Sequence, residues 1–396
     1  MTKRKQFQSC PLISIGFFLI AAQSCFAQAA ESTLKSLSTP SEWGQIEWTP
    51  FYLEVPEDIL RLSSIPSETT IWHLPDRSAD EIEDLLLELG MAQDAVEQTL
   101  AASLPYQLNP PYRLFPPREV VLSLPSEARS KLYAVLARYP ENAMHRQPTV
   151  LPEGDLARFF AGTDLSPEQM KLIAQLSYER LSQRCFADLP ALLWTTKSEA
   201  EEWNLLRMMT RVRTYLGRVR LMPEQDLGSF VDYWTWDFRQ TDGVPFLDTF
   251  TRDGLAEGID LTEILPPVPR KFVYTFPREE MGAEGAFPDS YWAALNFFLY
   301  LPRDEFSDSA EAAAELEQWY EPVDQPPRYG DVLIFRPTDS ERATVASAYL
   351  ADGMVYTKPS RARRFPFVLM RIEELVNQLG GTDEVSISVF RQREGP

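Results

Sequence analysis

Histidine is nearly absent from this chain, which has two, His73 and His145. Any proton transfer by an imidazole would have to come from the first 150 residues. Cysteine is scarce too. Cys10 and Cys25 fall in the first 25 residues, and beyond them Cys185 stands alone. With the first two removed in an export segment, the one remaining thiol cannot close an internal disulfide, so a core must hold the fold. Two isolated histidines and one cysteine give no metal-ligand spacing, so no metal or other cofactor is expected. Basic residues are outnumbered, 38 against 58 acidic ones, for a formal net charge of −20. A surface of that sign repels phosphate backbones, which argues against nucleic acid as a partner. No apolar run spans a bilayer comfortably, and no period of about 20–50 residues points to a solenoid or propeller.

What the chain does have begins with an export signature. Lys3, Arg4 and Lys5 precede a short apolar run from Pro11 to Ala22, and Ala27-Gln28-Ala29 is an A-x-A cleavage site. Residues 1–29 are therefore expected to be a signal peptide, with a periplasmic or extracellular destination and no transmembrane segment after its removal. Lipid anchoring at Cys25 is not expected, because Ala22-Gln23-Ser24 makes a poor lipobox. Residues 30–44 are polar and read as a flexible leader. A chain of 396 residues usually holds two domains. The proline cluster at 265–270 is the expected boundary, between a mainly helical N-terminal domain (45–264) and a strand-rich domain (265–396).

Local punctuation supports this division. Ser78 with Glu81, Ser166 with Gln169 and Ser198 with Glu201 have capping-box spacing ahead of apolar periodicity. The second of these helices is expected to run through "SPEQMKLIAQLSYERL". The proline-punctuated stretch 105–125 reads as extended, with one strand. "QIEWTPFYLEV" and "YLGRVRLM" read as strands, and "YWTWDF" (233–238) as core aromatics or a sugar-stacking surface. Beyond 265, "KFVYTF", "DVLIFR", "TVASAYLAD", "GMVYTK", "FVLM" and "EVSISVF" read as strands. A helix is expected from Ser290 to Pro302 with Tyr291, Leu295 and Phe298 inward. Fold class is thus α+β.

Three strings in order carry a resemblance: "DSYWAALNFF" opening a helix, "YGDVLIFR" as a strand, and "VASAYLADGMVYTK" as a hairpin. Over the C-terminal third, the chain resembles the NlpC-type cell-wall cysteine peptidases, which are papain-like. The resemblance implies a helix packed on an antiparallel sheet, and it matches Ser290 to the nucleophile, Val345 to the general base and Thr357 to the residue that orients the base. With serine and valine at the first two positions, the expected protein is a catalytically degenerate relative. It would bind a peptide, a peptidoglycan fragment or an envelope protein, or act as scaffold. The alternatives are a peptidoglycan hydrolase or amidase using Ser290 with an unrecognised base, and a secreted protein of unrelated α+β fold. Asp289, Tyr291, Trp292, Arg361, Arg363 and Arg364 are the candidate groove or anion contacts.

Overall fold

The period-2 alternation at the N-terminus forms strands as expected. The structure is a computed structural model and describes residues 35–62, 68–103, 112–151, 156, 160, 163–180, 183–236, 243–253, 258–282, 286–337, 344–380 and 385–393. The segment expected to be a signal peptide, with Cys10 and Cys25, lies outside these residues. Strand β1 (Ser36–Leu37) pairs antiparallel with β2 (Gln45–Leu53), along which Ile46 and Trp48 turn inward. Ser38 N–H also donates to Ile46 O at 2.8 Å. Residues 35–44, expected as a loose leader, are thus held by main-chain pairing, which needs no apolar side chain and leaves no trace in composition.

The next strands are short. β3 (Trp72–Leu74) pairs with β4 (Tyr112–Leu114), and β7 (Gln183–Phe186) lies between β5 (Thr149–Val150) and β6 (Tyr178–Arg180). β8 (Val212–Arg220) then pairs along the whole of β2, and β9 (Ile259–Asp260) adds an edge, giving the order β1-β2-β8-β9. The region expected to be mainly helical therefore contains eight of the described strands.

Helix starts follow the caps. Both reciprocal boxes form at Ser78/Glu81 and Ser166/Gln169. Ser198 accepts from Glu201 N, but the Glu201 carboxylate bonds Lys197 N instead of closing a box. Three expected extents change. The Pro167–Leu176 helix stops before Tyr178, because Ser177 is extended and Tyr178 and Arg180 turn inward with strand period. Arg118–Ser123 is helical, not extended, and follows Pro116-Pro117. "KFVYTF" is not a strand: Pro267–Phe272 is a helix with proline at its first position, where a missing N–H costs nothing.

The C-terminal strands are β10 (Tyr320–Val323), β11 (Val332–Pro337), β12 (Val345–Ala351), β13 (Met354–Thr357), β14 (Val368–Arg371) and β15 (Val385–Gln392). They form one antiparallel sheet in the order β10-β15-β11-β12-β13-β14. The chain is α+β with antiparallel sheets. The Ser290–Leu295 helix packs on β12 and β13. One core joins Ile46, Trp48 and Phe230 to Trp292, Ala346 and Leu369, and Val268 and Phe272 of the expected boundary lie inside it. No described helix is long and apolar enough to cross a membrane.

Candidate functional site

Asp289, not Ser290, caps the helix. Its Oδ1 accepts from Tyr291 N at 3.0 Å and Trp292 N at 3.2 Å, leaving Ser290 as the first helical residue. Ser290 is 5 % exposed, and its Oγ accepts from Ala346 N at 3.1 Å. Thr357, on the neighbouring strand, donates its hydroxyl to Ala346 O at 3.0 Å. The two hydroxyls therefore clasp both backbone groups of Ala346, next to Val345. Ser290, Val345 and Thr357, far apart in sequence, meet at one point of the fold. Among the described residues, no carboxylate or imidazole bonds Ser290 Oγ, and His73 and His145 line a different cavity.

Ser290 and Val345 open onto a cleft of about 1020 Å³. Asp289 and Tyr291 stand on its wall, the Tyr291 hydroxyl bonded to that of Thr344. Burial raises the Tyr291 phenol above its ordinary value. Arg361 also lines the cleft, but its guanidinium is engaged, donating to Asp289 Oδ2 at 2.7 Å and Ser307 O at 2.8 Å. Trp292 does not reach the cleft. It is fully buried, edge-on to Phe272, with its indole N–H 3.4 Å from Asp304 Oδ1. The expected inward set of Tyr291, Leu295 and Phe298 also changes. The helix ends at Leu295, because the Asn296 side chain bonds Trp292 O, Arg303 O and Arg303 N. Trp292, Ala293 and Leu295 take the inward places, and Phe298 stacks on Trp236 with centroids 4.2 Å apart.

The cleft is richer in arginine than this acidic sequence suggests. Arg146 and Arg336 line it with no carboxylate partner among the described residues, and Arg180 and Arg393 line it as well. Sequence reading missed Arg146 and Arg336 because they lie 190 residues apart and in no basic run. It also missed Lys358, next to Thr357. The Lys358 ammonium is fully buried and donates to the carbonyls of Ser360 and Ala362, closing the loop that carries Arg361. Burial brings its pKa down to about 7, against the opposing pull of Asp289.

The remaining candidates are structural or lie elsewhere. Arg363 donates to Pro277 O at 3.2 Å and lies 3.8 Å from Asp58, and it lines a second cavity together with Arg364. Of the aromatic stretch, Tyr233 and Trp234 are core residues, and positions 237–238 lie outside the described residues. Four arginines close in sequence are paired: Arg207 and Arg211 with Glu54, Arg213 with Glu374, Arg220 with Glu47. Cys185 is buried, and desolvation pushes its thiol up to about 11, so it is a poor nucleophile. No group of residues suited to a metal occurs among those described. No protein-family model, curated protein or solved structure gives a significant match to this chain.

Proposed function

We propose that this is an exported, non-catalytic protein with an NlpC-like C-terminal region, whose cleft at Ser290 binds an acidic peptide of the cell envelope. The observation that carries the reading is at Ala346: its N–H donates to Ser290 Oγ, and the adjacent Val345, which the resemblance matches to the base, carries no proton acceptor. A serine hydroxyl without a base is a weak nucleophile. The binding role draws support from the size of the cleft and from Arg146 and Arg336, cations suited to carboxylates. The basic start, apolar run and A-x-A site support export.

The test has two parts. Purified peptidoglycan incubated with the protein is expected to release no soluble fragments. Release that Ser290→Ala abolishes would make the protein a hydrolase. In fluorescence anisotropy, a labelled peptide with two glutamates is expected to bind saturably. Its glutamine counterpart should bind at least tenfold more weakly, as should the acidic peptide to Arg336→Gln. Equal binding of both peptides would remove the acidic preference.

A further inference from the structure

A second cavity of about 680 Å³ adjoins the cleft at Ala143 and brings together both histidines of the chain. Its size falls within the usual range for small-molecule sites. Ile71, Met144 and Phe287 give it apolar walls. Beneath it, Asp188 is closed off, since Arg129 and the Tyr133 hydroxyl both bond its carboxylate. Among the described residues, the lining groups without a polar partner include the Thr70 hydroxyl, His145 and Arg364.

His145 is 7 % exposed, and its ring packs edge-on against Tyr133 with centroids 4.5 Å apart. Among the described residues, neither ring nitrogen has a hydrogen-bond partner. A neutral imidazole offers one donor and one acceptor, and leaving both unmet in the interior is costly. Arg364 lines the same cavity. Among the described residues its guanidinium meets no carboxylate, only the Phe365 ring at 5.2 Å. The adjacent Arg363, by contrast, has Asp58 and Pro277 O.

From this arrangement the geometry points to a site for a small carboxylic acid with an apolar body, its carboxylate on Arg364 and an oxygen hydrogen-bonded to His145. The apolar walls take the body, and a guanidinium in a low-dielectric setting forms strong, directional pairs with carboxylates. Burial depresses the Arg364 pKa with no opposing charge to restore it, which a ligand anion would supply. Two acidic residues, Glu141 and Glu279, also line the opening. Both are exposed, and solvent screens their repulsion. Ser290 lines the peptide cleft and has no part in this site.

The experiment is calorimetric titration of the purified protein with butyrate, octanoate and 3-phenylpropionate, each against its matching alcohol. At least one acid should bind saturably and at least tenfold more tightly than its alcohol. Arg364→Gln should bring the acid to within about threefold of the alcohol. Because the chain has two histidines, ring-labelled protein gives two imidazole signals in NMR. The signal lost in His145→Gln should shift on saturation of the wild type, a readout that does not depend on that variant's affinity. The proposal is overturned if none of the acids binds saturably, if acid and alcohol bind alike, if Arg364→Gln leaves the affinity unchanged, or if the His145 signal stays still.

Discussion

Serine becomes a nucleophile only where something takes its proton, and at Ser290 the neighbours are a backbone N–H and a valine. Ser290→Ala is therefore expected to leave peptidoglycan undegraded, as in the wild type. The variant should lose stability, because Ala346 N–H would be left without its acceptor. The expected loss is about 1–3 kcal/mol by urea unfolding, and an unchanged midpoint would mean the bond contributes nothing. His145 supplies a second prediction. Burial, with help from Arg129, His73 and Arg180, lowers its pKa from 6.5 to about 3. Below pH 6.5 the unfolded chain takes up a proton that the native state refuses. This residue's contribution to stability is thus full above pH 6.5 and is lost on acidification toward pH 3. Between pH 7 and 5 it should remove about 2 kcal/mol, at about 1.4 kcal/mol per pH unit. His145→Leu should lose that much less over the same interval in urea unfolding. An identical pH dependence in both proteins would show that the imidazole charges freely in the native state.

At the scale of elements, the string "YGD" ahead of β11 has a mechanical reason. Gly330 has φ +85°, and a Cβ added there would lie 2.0 Å from the Phe298 ring. That ring is already stacked on Trp236 and has little room to yield. Asp331 is buried, accepts from Arg328 N at 2.8 Å and pairs with Arg391 of β15 at 2.7 Å. The turn thus ties the start of β11 to its neighbouring strand. Gly330→Ala should cost about 1–2 kcal/mol for the left-handed backbone and about 1–3 kcal/mol for overpacking. Denaturant unfolding measures the sum. A loss below about 1 kcal/mol would mean that Phe298 swings aside.

Over the whole molecule, contacts cross the proline cluster at 265–270 freely. Thr214 of β8 exchanges hydrogen bonds with Leu369 of β14, at 2.9 and 3.0 Å. Trp48 donates to Asp352 at 3.0 Å, and Tyr215 to Glu374 at 2.6 Å. Residues 35–396 cluster as one unit. Unfolding of the two halves is accordingly expected to be coupled, with tryptophan fluorescence and far-ultraviolet circular dichroism tracing one urea transition. Two separated transitions would show instead that residues 265–396 stand alone.

Sequence alone determined what depends on near neighbours. Ser78 and Ser166 cap their helices because the partner lies three residues on, and β2, β11 and β12 form where apolar residues run with strand spacing. Composition also bounded the chemistry, since two histidines and, beyond residue 25, a single cysteine leave few catalytic arrangements. The resemblance carried by the C-terminal strings singled out Ser290, Val345 and Thr357. It did not give the bond from Ala346 that occupies Ser290, because main-chain donors look alike in any sequence. Tertiary structure decided which charges are neutralised. The arginines at 207–220 are largely paired, while Arg146, Arg336 and Arg364, spread over more than 200 residues, line cavities with no carboxylate paired to them among the described residues. It also brought His73 and His145 into one cavity, through β3 and the short helix Ala143–Arg146. Such placements depend on how distant segments pack, and packing is set by the whole core rather than by residues within a helical turn of each other.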